Sequence, residues 1–181
     1  MYKHCTTEES VLRQRQLERC LLDLMHTLPY AQITITNICD AAGISRKSFY
    51  RYFGSKDGCL YALIDHCIFD FTAQYLPGNS DAIHPEELFT GFFDYWKQMS
   101  PLLDALSKNN LSVCLAERMM IYADQEEPDL QFYLGNHTDD AYEQMLFMIS
   151  GLVGLIIDWN RSGFQKSSGQ MAAILAKILQ T

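Results

Sequence analysis

Thr34-Ile35-Thr36-Asn37-Ile38-Cys39-Asp40-Ala41-Ala42-Gly43-Ile44-Ser45-Arg46-Lys47-Ser48-Phe49-Tyr50-Arg51-Tyr52-Phe53 reads as two short helices around a glycine turn. Gly43 suits the left-handed backbone that reverses a chain. Ala41 and Ala42 are small where two helices must approach closely, and Ile38, Ile44, Phe49 and Phe53 supply apolar pins between them. The pattern predicts a second helix over 34–42 and a third over 45–53.

At about 100° per residue along the third helix, Phe49 and Phe53 share one face. The opposite face holds Lys47, Arg51 and Ser48, with Arg46 and Tyr50 on one flank and Tyr52 on the other. A short basic face edged with hydroxyls suits the major groove of DNA, its outward side chains at base edges and its flanks against phosphates. The net charge of −8 hides this polarity. Residues 1–56 carry eight Lys and Arg against five Asp and Glu, whereas residues 57–181 carry six against seventeen. One basic end on an acidic body predicts that only that end meets a polyanion.

Outward from this stretch every segment has helical periodicity, and no run alternates as a strand would. Thr6-Thr7-Glu8-Glu9 has the form of a capping box and starts a first helix near Thr6. That helix runs to about Leu28, with Val11, Leu12, Leu21, Leu22, Met25 and Leu28 turned to a core, and Pro29 ends it. Ser55 caps a fourth helix that reaches about Leu76, before Pro77-Gly78-Asn79-Ser80. Further helices are predicted at 85–99, 101–108, 111–126, 137–162 and 167–180, with Gly163 between the last two. The fold class is all-α: a small helical head over 1–54 and a helical bundle over 55–181.

The longest apolar run, Met145 to Ile157, is too short for a membrane span of about 20 residues. With no secretory signal at the start, the expected location is the cytoplasm. Six cysteines form no C-x-x-C pair and meet no histidine at zinc-ligand spacing, which predicts reduced thiols and no metal. No fingerprint of a hydrolase, nucleotide-binding loop or dinucleotide fold is present, so neither an enzyme nor a cofactor is expected.

Residues 34–60 resemble the signature of the TetR family of transcriptional regulators. The resemblance is carried by Thr34, Ile38, Ala42, Gly43, Ile44, Ser45, Phe49, Tyr50, Tyr52, Phe53, Ser55, Lys56 and Leu60. Cys39 replaces the usual alanine, Tyr52 stands where histidine is common, and Gly58 lies in the first turn of the fourth helix. The resemblance implies that Tyr50, Tyr52 and Lys56 hold phosphates, with Thr34 contributing from the second helix. It implies that Thr36, Arg46, Lys47 and Ser48 approach the bases of a double-stranded operator. It further implies a homodimer released from a pseudo-palindromic site by a small-molecule effector.

The body is rich in aromatic and methionine side chains. Phe89, Phe92, Phe93 and Trp96 repeat at helical spacing, and Met119, Tyr122 and Phe147 follow. Each alone fits a core, and together they fit an adaptable apolar pocket for an apolar or aromatic ligand. Asp94, Glu117 and Glu143 among them leave a cationic lipophile open. Gly151, Gly154, Leu155 and Trp159 on the penultimate helix, and Ile174 and Ile178 on the last, are the expected dimer contacts. Two other readings compete: a thiol-based redox sensor through Cys59 and Cys67, and a helical small-molecule-binding protein that no longer binds DNA.

Overall fold

Two polar residues set the packing of the first helix. Helix α1 (Glu8–Thr27) buries Leu17, Leu21 and Met25 on one stripe, and Gln14 and Glu18 occupy that stripe's first turns. The Gln14 amide donates to the Lys3 carbonyl at 3.1 Å, and Glu18 Oε2 lies 2.9 Å from His66 Nδ1. The stripe therefore excludes Val11 and Leu12, which were expected in the core and stand on the surface, Leu12 at 64% exposure. The cap also differs from expectation. Thr7, not Thr6, precedes the helix, and its hydroxyl bonds Ser10 Oγ at 2.8 Å rather than closing a capping box.

The computed structural model describes residues 2–76, 85–125 and 140–179. After α1, a 3-10 turn (Tyr30–Gln32) that the sequence reading did not anticipate leads to α2 (Ile35–Ala42) and α3 (Arg46–Phe49). Then come α4 (Lys56–Tyr75), α5 (Pro85–Gln98), α6 (Ser100–Lys108) and α7 (Ser112–Gln125). The last two helices are α8 (Ala141–Arg161) and α9 (Ser168–Leu179). The expected start of the penultimate helix at 137 lies outside the described residues. Among those residues the extended pairing is one isolated antiparallel bridge, Tyr2 with Phe53.

Helices α1 to α3 make up the stretch expected as the head, and α4 onward the stretch expected as the body. In the body α5 lies along α9, and α7 along α8 and α4. Phe93 and Trp96 on α5 are fully buried, and the Phe93 ring meets Trp159 of α8 edge-on at 5.5 Å. Head and body are also pinned by polar contacts to backbone. Asn109, at the end of α6, accepts from Tyr30 N at 2.6 Å and donates to the Met25 carbonyl at 3.4 Å. Beside it Lys108 Nζ donates to the His26 carbonyl at 2.7 Å.

Glu18 is 1% exposed and its Oε1 has no hydrogen-bond partner among the described residues. Burial raises its carboxyl above the ordinary range, and the His66 contact only partly opposes this. The native state then holds a proton that the unfolded chain has released, so stability falls as pH rises through the raised value. Thermal midpoints from pH 5 to pH 8 are expected to show wild type losing stability relative to Glu18→Gln with rising pH. A difference constant across that range would show that Glu18 is ionised throughout.

Candidate nucleic-acid interface and body cavity

The second helix begins at a complete capping box. Thr34 Oγ1 accepts from Asn37 N at 3.2 Å, and Asn37 Oδ1 accepts from Thr34 N at 2.9 Å. Such a cap contributes about 1 kcal/mol. Asparagine at the third position, where glutamate or glutamine is usual, is why the sequence pattern did not flag it. At the other end Gly43 adopts φ +66°, and Ile44 N bonds the Cys39 carbonyl at 3.0 Å. A Cβ at Gly43 would meet nothing within 4 Å, so backbone conformation and not space demands the glycine.

The third helix is shorter than the expected 45–53. Ser45 caps it by accepting from Ser48 N at 3.1 Å, and the regular helix spans Arg46–Phe49, although Phe53 N still bonds the Phe49 carbonyl at 3.1 Å. Arg51 N and Tyr52 N reach only three residues back, to Ser48 and Phe49. Tyr52's carbonyl instead accepts from Lys3 N at 2.9 Å, so residues 50–52 form a tightened turn. Phe49 and Phe53 are buried with ring centroids 5.2 Å apart. They hold Arg46, Lys47, Tyr50 and Arg51 on the outside, together with Thr34 and Thr36 of the second helix. Ser48 and Tyr52 are half-buried, and the Ser48 hydroxyl lies 3.1 Å from that of Ser45.

Lys56 stands apart from these residues. Its ammonium donates to the carbonyls of Tyr30 and Ile33, the latter at 2.8 Å, and sits 4.1 Å from the Tyr30 ring centroid. Burial lowers its pKa. The Tyr30 hydroxyl in turn donates to Asp57 at 2.6 Å. The side chain expected to hold a phosphate thus stitches α4 to the turn before α2.

The body holds a cavity of about 100 Å³ between α4, α5, α7, α8 and α9. Phe89, Phe92, Met119 and Tyr122 line it, with Ile68, Phe71, Thr72, Ala123, Ile149, Leu152 and Leu175. Phe93 and Trp96, expected in the pocket, instead fill the fully buried core behind it. Phe147 lies on the outer side of α8, 74% exposed. Among the described residues none that lines it is charged, and Asp94, Glu117 and Glu143 are not part of the wall. The polar groups in the wall are the Thr72 and Tyr122 hydroxyls, 2.9 Å apart. Since Thr72 Oγ1 donates to the Phe69 carbonyl at 3.0 Å, it accepts from Tyr122.

Burial keeps the thiols of the redox reading protonated. Cys67 is pushed up to about 12 and Cys59 well above its ordinary value, whereas oxidation begins at the thiolate. No group of three acidic, histidine or cysteine side chains among the described residues could hold a metal. No helix among them is long and apolar enough to cross a membrane.

Residues 22–63 match the family described as bacterial regulatory proteins, tetR family. The transcriptional regulator EthR of Mycolicibacterium smegmatis is 37% identical over 62 residues, 31% of this chain and 29% of that protein. DhaS of Lactococcus lactis, a dhaKLM operon transcriptional activator, is 31% identical over 74 residues, 41% of this chain and 37% of that protein. The chain thus matches well under half the length of these relatives. Two solved structures share the fold along almost the whole chain. FadR, a fatty acid degradation regulator from Bacillus halodurans, superimposes with a TM-score of 0.65 at 15% identity, covering 97% of this chain and 96% of that one. A dihydroxyacetone kinase operon activator, DhaS, does so with 0.59 at 18% identity, covering 94% and 95%.

Two lysines in the head separate a fold contact from a DNA contact. Lys56→Ala leaves two carbonyls without their charged donor, and is expected to destabilise the protein by about 1–2 kcal/mol. Lys47→Ala, on the exposed face, is expected to leave the thermal midpoint within about 1 °C. Calorimetry of both variants checks this, and equal midpoints would show that Lys56 does not stitch the head.

Proposed function

We propose, from the match of residues 22–63 to the tetR family of bacterial regulatory proteins, that the chain is a homodimeric, sequence-specific DNA-binding transcriptional repressor controlled by a small ligand. The observation that carries it is the recognition face. Two buried phenylalanines hold Arg46, Lys47, Tyr50 and Arg51 outward, on the basic end of an acidic chain. Lys47, Arg46, Ser48 and Thr36 are the proposed base contacts. Tyr50, Tyr52, Arg51 and Thr34 are the phosphate contacts, and Lys56 acts on DNA only through the shape of the head.

Repression by occupying an operator needs no surface beyond the DNA contacts, whereas activation needs one for polymerase. That favours repression, although DhaS is named an activator. The ligand is neutral and apolar, because the cavity wall offers no countercharge to an ion. Its one polar group donates to Tyr122, whose own hydrogen is engaged by Thr72. The proposed site of action is the cytoplasm, and no catalytic role is proposed.

The second copy docks on α8 and α9. Gly151 and Gly154 are exposed, and a Cβ at either would meet nothing within 4 Å, so neither glycine is needed inside the protomer. Leu146 and Phe147 are exposed beside them, as is Ile178 on α9. Leu155 and Ile174 are half-buried at its margin. Trp159, expected on this face, is buried and donates from Nε1 to the Lys166 carbonyl at 2.9 Å, which makes it a core residue.

Selection from random DNA is expected to return a pseudo-palindrome whose half-sites lie about 34–36 Å apart, one helical turn or a multiple of it. Anisotropy should show nanomolar binding that Tyr50→Ala weakens at least tenfold. No enriched sequence would overturn the assignment of DNA binding.

Sedimentation is expected to show a dimer that Gly151→Arg with Gly154→Arg converts to a folded monomer. A double variant still dimeric at micromolar concentration would place the interface elsewhere.

A further inference from the structure

The first residues of the chain reach from the recognition helix to the wall of the cavity. Lys3 N donates to the Tyr52 carbonyl at 2.9 Å, and Tyr2 pairs with Phe53 in the antiparallel bridge. Buried Gln14 fixes this two-residue strap from α1 by donating to the Lys3 carbonyl at 3.1 Å. The Tyr2 hydroxyl then leaves the head and donates to Asp65 Oδ2 of α4 at 2.6 Å. Asp65 is held in turn by a two-pronged fork from Arg118 of α7, Nε to Oδ1 and a terminal nitrogen to Oδ2. The guanidinium also sits 5.5 Å from the Tyr61 ring centroid.

Two features make this chain of contacts more than a surface clasp. The Asp65 and Arg118 side chains are only 14% and 21% exposed, so water screens the pair little. And α7 is a wall of the cavity, since Met119 follows Arg118 directly and Tyr122 lies one turn on. We propose that Tyr2, Asp65 and Arg118 are positioning residues for DNA binding, setting the Tyr50–Tyr52 turn of the recognition helix from the cavity wall. This rests on the reading of α2 and α3 as the DNA-binding head. The strap touches only backbone at Tyr52, so it leaves the DNA-facing side chains free. Loss of the Tyr2 hydroxyl or of the Arg118 fork removes no side chain from the core around Phe49 and Phe53, so the expected effect is on the set of the turn and not on the fold of the head. A change in α7 that withdraws Arg118 frees Asp65, then Tyr2, then the turn.

The test needs no effector, because a larger side chain at Ala123 occupies the cavity in its place. Amide exchange at Lys3 is followed by NMR without DNA, and operator affinity by anisotropy, in wild type, Tyr2→Phe, Arg118→Met, Ala123→Met and the pairwise combinations. Tyr2→Phe and Arg118→Met are each expected to speed exchange at Lys3 at least tenfold and to weaken operator binding about fivefold. Protection at Ile64 in the core should be unchanged, which a general loss of stability would not allow. Ala123→Met is expected to move both quantities in wild type and to add nothing to operator affinity in the Tyr2→Phe background. Arg118→Lys, which keeps the charge and loses the fork, should fall between. Ala123→Val replaces Ala123→Met if the larger residue unfolds the body.

The inference is overturned if the Lys3 amide is unprotected in wild type. It is equally overturned if Tyr2→Phe leaves operator affinity unchanged, or if the Ala123 and Tyr2 effects simply add. Protection at Lys3 that Ala123→Met alters, in a protein that selects no operator, would keep the strap and defeat the DNA-binding reading instead.

Discussion

A helix of four residues has no stability of its own. Closing the first helical turn is unfavourable, and isolated helices below about 12 residues are marginal in water. Helix α3 is such a helix, and it is also the one that presents Arg46 and Lys47. Everything around it compensates. Phe49 and Phe53 tie it to the core from one side, and Ser45 satisfies its start. Gly43 delivers the chain to it at a fixed angle, and Lys3 takes the Tyr52 carbonyl at its end. The exposed face of α3 therefore takes its set from these surroundings, and anything that alters them alters the face.

The head was legible in the sequence to the extent that local rules govern it. The left-handed glycine, the apolar pins and the serine caps are short-range features, and the helices α2 and α4 start where they should. The length of the third helix was not legible, because its end is set by a carbonyl bonded to a residue 49 positions earlier. Lys56 shows the same limit. A lysine at the start of a helix near a proposed DNA surface reads as a phosphate ligand, and only the fold brings the Tyr30 and Ile33 carbonyls to its ammonium. Likewise Val11 and Leu12 lost their expected places to Gln14 and Glu18, because the partners that make those polar residues buriable come from Lys3 and His66.

In the body, composition marked the right helices but not which face of each meets the cavity. Phe89, Phe92, Phe93 and Trp96 share one helix, yet two line the cavity and two fill the core behind it. Periodicity alone assigns all four to the same broad apolar side. The glycines of α8 were legible as a site of close approach and not as an exposed one. A glycine packed in the core and a glycine facing a second copy look alike in sequence, and only the empty space around Gly151 and Gly154 distinguishes them.

The small size of the cavity bears on how control would work. Moving a two-state protein from one form to the other takes about 5.5 kcal/mol of differential affinity. One hydrogen bond to Tyr122 supplies about 0.5–1.5 kcal/mol. The remainder must come from burial, at about 0.8 kcal/mol per methylene, which means five or more carbons. A cavity of about 150 Å³ holds benzene, and this one is about 100 Å³. A ligand large enough to drive the change is larger than this space. Its binding would widen the space, and α7 is among the walls. The form with the narrow cavity and the intact strap is then the form that such a ligand binds less well. That difference, rather than any contact the ligand makes with the head, supplies the free energy that reaches DNA.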